Sequence, residues 1–185
     1  MTFTIHDTQS APAGSQDILD NVEQQFGFLP NIMGAFAESP ATLQAYLQLD
    51  QLMSNETAFT PTEQQVVLMS VSRANNCDYC MSAHSTIANS QNVDEDVIQA
   101  LRDGNDLPDE KLAALQAYTL ELLNNHGHVS EDVKKQFTDQ GYGPRHALEV
   151  VLGIAMKTIS NYTNHLAHTP LDEQFKPSAW HNEAA

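Results

Sequence analysis

The chain has 185 residues, enough for one domain with a real core. Its 24 acidic against 8 basic side chains leave a net charge of −16, a field that repels nucleic acid and anionic membrane, so neither is expected as a partner. No apolar run approaches the roughly 20 residues of a membrane span, and the opening MTFTIHDTQSAPAG lacks a basic region followed by an apolar core, so a cytoplasmic protein without a signal peptide is expected.

Residues 1–15, rich in Thr, Ser, Ala and Pro, read as an irregular arm, and 16–185 as a single all-helical domain. Ser15 is placed to cap a helix to about Phe26 that carries Ile18, Leu19 and Val22 and ends at Gly27. Pro30 suits the first turn of a short helix with Ile32, Met33 and Phe36. Ser39-Pro40 is a cap followed by a first-turn proline, and Leu43, Tyr46, Leu47 and Met53 follow at helical spacing. Thr60-Pro61-Thr62-Glu63 forms a capping box, and Val66, Val67, Met69, Val71 and Ala74 fit a helix rather than strict alternation. Asn75 and Asn76 break it. A second helix is expected from about Cys77, then a polar break at 91–96 and a short helix with Val97, Ile98 and Leu101 that stops at Gly104.

Asp109 to Asn125 reads as a helix with the stripe Leu112, Leu115, Thr119 and Leu122. His126 and His128 fall in a solvent-facing turn. Ser130 caps a helix to about Gln140, and Pro144 opens a long one to about Ala167. Its stripe Leu148, Val151, Leu152, Ala155, Ile159, Tyr162 and Leu166 is the clearest in the chain and is expected to face the core or an interface. The tail from Thr169 should be short helix and coil ending in a mobile EAA, with Trp180 as an interface anchor. The fold class is all-α, with about eight helices.

The chemistry concentrates in 60–88, TPTEQQVVLMSVSRANNCDYCMSAHSTIA, which holds the only two cysteines as a CxxC pair with His84 four residues beyond. On a helix, Cys80 and His84 stand at i and i+4, and Cys77 lies one turn before Cys80. A helix start or an imidazole lowers a thiol pKa, two cysteines at this spacing can close a small disulfide, and a histidine one turn away can take a proton. Half a zinc site is an alternative, but zinc normally takes four ligands and no second CxxC or HxxxH is present. Two buried structural cysteines are the other. Glu63 has two readings that are compatible, holding the helix start or acting as a relay carboxylate. His165 is placed to reach the site or to serve as a helix or interface histidine.

The run EQQVVLMSVSRANNCDYCMSAH resembles the core of the alkylhydroperoxidase D family within the carboxymuconolactone decarboxylase superfamily. FGFLPNIM at 26–33 and NYTNHLAHTPLD at 161–172 are similar to the peroxidase-related subgroup. The resemblance implies a homo-oligomeric helical protein that reduces hydroperoxides, needs no bound cofactor, and is reset by an external dithiol such as a lipoyl group or a thioredoxin-like protein. It puts the peroxidatic role on Cys80, resolution on Cys77 and proton transfer on His84. The residues themselves divide otherwise: a helix-terminal field favours Cys77 and the histidine favours Cys80. Two positions depart from the family. Its relay glutamate, twelve residues before the first cysteine, is Gln65 here, with Glu63 two residues earlier on a different helix face, and its histidine between the cysteines is Tyr79, which can donate a hydrogen bond. Competing readings are a lactone decarboxylase, which typically lacks the CxxC, and a non-catalytic redox sensor or scaffold.

Overall fold

The computed structural model describes residues 2–182; the expected mobility of 183–185 lies outside them. Among the described residues the chain forms nine α-helices and one short 3-10 helix, Glu173–Ser178. The α-helices are α1 Ala13–Phe26, α2 Asn31–Phe36, α3 Pro40–Asn55, α4 Pro61–Ala74, α5 Asp78–Ser90, α6 Glu95–Asp103, α7 Glu110–Asn124, α8 Glu131–Asp139 and α9 Pro144–Ala167. No helix among them is long and apolar enough to cross a membrane.

The centre of the bundle is α4, which packs against α5, α7 and α9. Every residue from Glu63 to Ser72 is buried, as a helix enclosed on all sides must be. Its start is fixed by the expected capping box. Thr60 Oγ1 accepts from the Glu63 N–H at 3.3 Å, and Glu63 Oε2 accepts from the Thr60 N–H at 2.8 Å. The other Glu63 oxygen accepts from the Tyr142 hydroxyl at 2.8 Å and pairs with Lys111 at 2.7 Å. One carboxylate thereby ties α4 to α7 and to the segment before α9.

The turn from α4 to α5 sets the cysteines. Asn76 takes the left-handed conformation, φ 52°, which asparagine tolerates better than most residues. The chain then doubles back so that the Cys77 N–H reaches the Ser72 carbonyl at 3.0 Å. Cys77 is the N-cap of α5 and its carbonyl accepts from the Met81 N–H at 3.0 Å.

The apolar stripe of α9, expected to face the core or an interface, lies mainly outward, with Leu148 72% exposed, Tyr162 54% and Leu166 62%, while Leu152 and Ile159 are partly buried against the core. The buried face carries Val150, Gly153, Met156, Lys157, Ser160, Asn161 and Asn164. Gly153 permits the close approach, since a Cβ there would come within 2.7 Å of Val67 Cγ1 on α4. Ser15 caps nothing. It is fully buried within α1 and its hydroxyl donates to the Ala37 carbonyl at 2.8 Å, and α1 begins two residues earlier, after Pro12. Trp180, expected as an interface anchor, is buried against its own chain, its backbone N–H donating to Ser82 Oγ and its indole N–H to the Arg102 carbonyl.

Burial pushes the Glu63 carboxyl up, but Lys111, Thr60 and Tyr142 outweigh it and hold it at about 2, against an ordinary 4.5. A depressed folded-state pKa gives stability that is full above the unfolded value and is lost as pH falls through the folded one. Glu63→Gln should therefore cost about 1–3 kcal/mol at neutral pH, and the gap to wild type should close as pH falls from about 4.5 towards 2 in urea melts.

Candidate active site

The cysteines occupy the first turn of α5, Cys77 at the cap and Cys80 three residues on, and His84 follows one turn later. Both thiols are free and buried. The buried polar face of α9 lies over them. Asn164 Nδ2 donates to Cys80 Sγ at 3.2 Å and to Cys77 Sγ at 3.6 Å, and Cys80 Sγ is 3.7 Å from Ser160 Oγ. Asn161 holds this face in register with the preceding turn, accepting from Asn75 Nδ2 at 3.0 Å and donating to Ser72 Oγ at 3.4 Å.

His84 sits inside a polar chain. Its Nε2 is 2.9 Å from the Lys157 ammonium, which is a donor only, so Nε2 must accept. Its Nδ1 is 3.0 Å from Gln65 Oε1, an acceptor, so Nδ1 carries the proton. Gln65 Nε2 in turn donates to Gln91 Oε1 at 3.0 Å. Burial first and the Lys157 cation second push the imidazole well below its ordinary pKa, which agrees with a neutral ring. Neither ring nitrogen is bonded to a thiol.

The two sulfurs are driven apart electrostatically. Burial would push the Cys80 thiol up, but the Cys77 thiol, the Lys157 cation and the Ser160 hydroxyl outweigh it and hold Cys80 well below the ordinary value. Cys77 is pushed up, first by its hydrogen bond to Cys80 and then by burial. Cys80 is thus the thiol held lower and Cys77 the one held higher, and the groups that lower Cys80 are Cys77, Lys157 and Ser160 rather than the histidine or the helix cap invoked from the sequence.

Tyr79, between the cysteines, has a structural engagement. Its hydroxyl donates to Asp172 Oδ2 at 2.5 Å and accepts the Ile32 N–H at 3.4 Å. Asp172 Oδ1 also accepts the Asn31 N–H at 3.0 Å. The 26–33 and 161–172 segments therefore meet each other at Tyr79. A cavity of about 460 Å³ runs past His165, His168 and His181 and ends against Cys77. His165 is exposed at its wall.

Of the residues singled out in the sequence, Cys77, Cys80, His84 and Gln65 come together. Glu63 has its carboxylate committed to the α4 cap, Tyr142 and Lys111, and none of these touches a thiol. Sequence reading missed Lys157, Ser160, Asn164 and Asp172. The first three had a signal, since polar residues at 157, 160, 161 and 164 repeat at helical spacing through an otherwise apolar helix.

The all-helical bundle, with its CxxC at a helix start, has the alkylhydroperoxidase D-like fold. Residues 40–120 match the family model described as the carboxymuconolactone decarboxylase family. A crystal structure of an alkylhydroperoxidase AhpD core, an uncharacterized peroxidase-related protein from Ralstonia eutropha JMP134, is 20% identical with a TM-score of 0.82, covering 94% of this chain and 93% of that one. An uncharacterized peroxidase-related protein from Silicibacter sp. TM1040 is 16% identical with a TM-score of 0.77, covering 93% of both chains. The debrominase Bmp8, in complex with 2,3,4-tribromopyrrole, is 19% identical with a TM-score of 0.77, covering 96% of this chain and 95% of that one. No curated protein matches the sequence.

Replacing Tyr79 by Phe strands the buried Asp172 with only its backbone donor. The expected cost is about 1–3 kcal/mol in chemical denaturation.

Proposed function

We propose that the protein is a thiol-dependent peroxidase that reduces organic hydroperoxides through a CxxC dithiol–disulfide cycle. The observation that carries this reading is the asymmetry of the pair: a lowered Cys80 and a raised Cys77 joined through one Asn164 amide. Cys80 as thiolate attacks the distal oxygen of the hydroperoxide; the S–O bond forms, the O–O bond breaks, and alcohol leaves once protonated. Cys77 then attacks the sulfenic sulfur, and the departing hydroxide takes the Cys77 proton as water. An external dithiol, lipoyl or thioredoxin-like, returns two electrons, with the cavity that ends at Cys77 as the route of exchange. Asn164 Oδ1 is buried and without a partner among the described residues, so it can accept the O–H of an incoming hydroperoxide. His84 keeps its place in the site as the neutral ring that orients Lys157. A reducing, cytoplasmic compartment fits a pair that is free at rest.

The test is a free-thiol count after one equivalent of cumene hydroperoxide is added to reduced protein. Wild type should lose two thiols per chain within seconds and recover them with dihydrolipoamide, and Cys80→Ser should lose none. Thiols that persist for many minutes in excess peroxide would reject turnover and favour a slow redox sensor.

The outward stripe of α9 is where a second copy would pack, burying Leu148, Val151, Tyr162 and Leu166. Light scattering should report an oligomer for wild type. Leu148→Glu combined with Leu166→Glu should shift it to monomer while the cooperative melt is retained.

A further inference from the structure

The cavity of about 460 Å³ that reaches the cysteine pair has an uncommon lining. Small-molecule sites are lined mainly by apolar and aromatic side chains, with a few placed polar groups. Here the polar groups dominate. The start of α5 brings Asn76 and Asp78, and the end of α9 brings Asn164, His165, His168 and Thr169. The tail closes a third side with His181, whose Nδ1 lies 2.7 Å from Asp78 Oδ2. Tyr79 offers a ring, but its hydroxyl is turned away to Asp172. Among the described residues that line the cavity none is lysine or arginine, and the one carboxylate, Asp78, is engaged by His181. A ligand there meets hydrogen-bonding groups and no fixed cation.

Two further observations converge on this cavity. Of the four buried side-chain polar atoms without a partner among the described residues, Asn164 Oδ1 and Thr169 Oγ1 belong to residues that line it. Buried polar groups are normally paired, so orphans at a cavity wall mark places for the groups of a ligand. Of the four non-glycine residues with positive φ among the described residues, Asn76 at 52° and His168 at 49° line it as well. Left-handed backbone under a side chain is strained, and such strain concentrates at functional sites. At His168 the reversal ends α9. The N–H groups of His168 and Thr169 both fold back on the Asn164 carbonyl, which keeps Thr169 on the same wall as Asn164. The other end of the Asn164 amide faces the sulfurs, with Nδ2 3.2 Å from Cys80 Sγ.

We propose that this cavity is the substrate pocket and that it selects uncharged hydroperoxides with a hydroxyl group on a short carbon skeleton, the hydroperoxyl O–H donating to Asn164 Oδ1 and the substrate hydroxyl pairing with Thr169 Oγ1. The inference rests on the peroxidase reading and narrows its substrate. One amide then spans the reacting groups, since Oδ1 holds the hydroperoxide while Nδ2 holds the sulfur. The Thr169 hydroxyl can donate or accept, so it suits a substrate hydroxyl in either sense. A purely hydrocarbon hydroperoxide leaves Thr169 and the polar walls unpaired. A site built to hydrogen-bond its substrate discriminates strongly against an analogue that lacks the group. A carboxylate-bearing hydroperoxide finds no lysine or arginine in the lining and must approach a chain of net charge −16. Substrate and reductant take turns in the one cavity, the dithiol entering after the alcohol has left.

The experiment compares tert-butyl hydroperoxide with its β-hydroxy derivative, two substrates that differ by one hydroxyl. Each rate of thiol loss in the reduced full-length protein is divided by the rate with a small free thiol, which removes intrinsic reactivity. Wild type should favour the hydroxylated substrate about tenfold or more. Thr169→Val keeps the shape without the hydroxyl and should bring the preference below about threefold, whereas Thr169→Ser should keep it. A wild-type preference below about threefold overturns the proposal and leaves the peroxidase reading standing. So does a preference that survives in a Thr169→Val protein that melts cooperatively. Thiols that neither hydroperoxide consumes reject the peroxidase reading instead, and the pocket is then judged without turnover by amide NMR. Isobutylene glycol should shift the His168 and Thr169 amide signals at concentrations where tert-butanol does not, and an equal response to the two alcohols overturns the proposed selectivity. The same titration of the wild type decides should Thr169→Val fail to fold.

Discussion

A lysine ammonium shut inside a helical bundle constrains everything around it. Lys157 reaches the interior because α9 turns a polar face inward, and α9 can come that close to α4 because residue 153 has no side chain. Once there, the cation fixes the state of its neighbours. It takes the Nε2 lone pair of His84 and, after the Cys77 thiol, helps to lower Cys80, while Gln65 links the ring to Gln91 without adding charge. Low dielectric strengthens each of these contacts and makes any missing partner costly, so the cluster tolerates little rearrangement. In a chain with net charge −16, one of only 8 basic side chains stands at this point.

The placement of the cysteines depends on backbone geometry more than on packing. Cys77 is held at a cap by its N–H on Ser72, and Asn76 absorbs the reversal with a positive φ. That puts Cys80 in the first turn of α5, where backbone N–H groups are unpaired by the helix itself. From the other side, Tyr79 is anchored to Asp172 and Ile32. The residue between the cysteines is thus tied to two segments remote in sequence. A CxxC loop held at its cap, at its middle residue and through Asn164 keeps both sulfurs within reach of one amide whatever the surrounding solvent does.

The elements were legible where local chemistry determines them. Thr60 to Glu63, Ser39-Pro40, Gly27 and Gly104 mark helix ends through caps and left-handed turns, and each end lies where those residues put it. The face of α9 was not legible, because periodicity reports that two faces differ and does not say which one the core receives. Apolar residues at 148, 152, 155, 159, 162 and 166 outnumber the polar ones, so hydrophobicity alone leaves core and interface open for a stripe of which only 152 and 159 pack against the core. The competing stripe at 157, 160, 161 and 164 makes sense only once three of its members are known to meet a thiol or an imidazole. Glu63 shows the same limit. Its cap role follows from four consecutive residues, but its distance from the thiols depends on which end of α4 faces α5, a tertiary fact.

The amide at position 65 fits the same electrostatics. Gln65 contacts His84 at 3.0 Å. A carboxylate there would pull His84 towards imidazolium and place a second anion within the field of Lys157, dividing the cation between carboxylate and thiolate. An amide keeps the hydrogen bond and the ring orientation and adds no anion beside Lys157, whose field falls on His84, Asp50 and both cysteines.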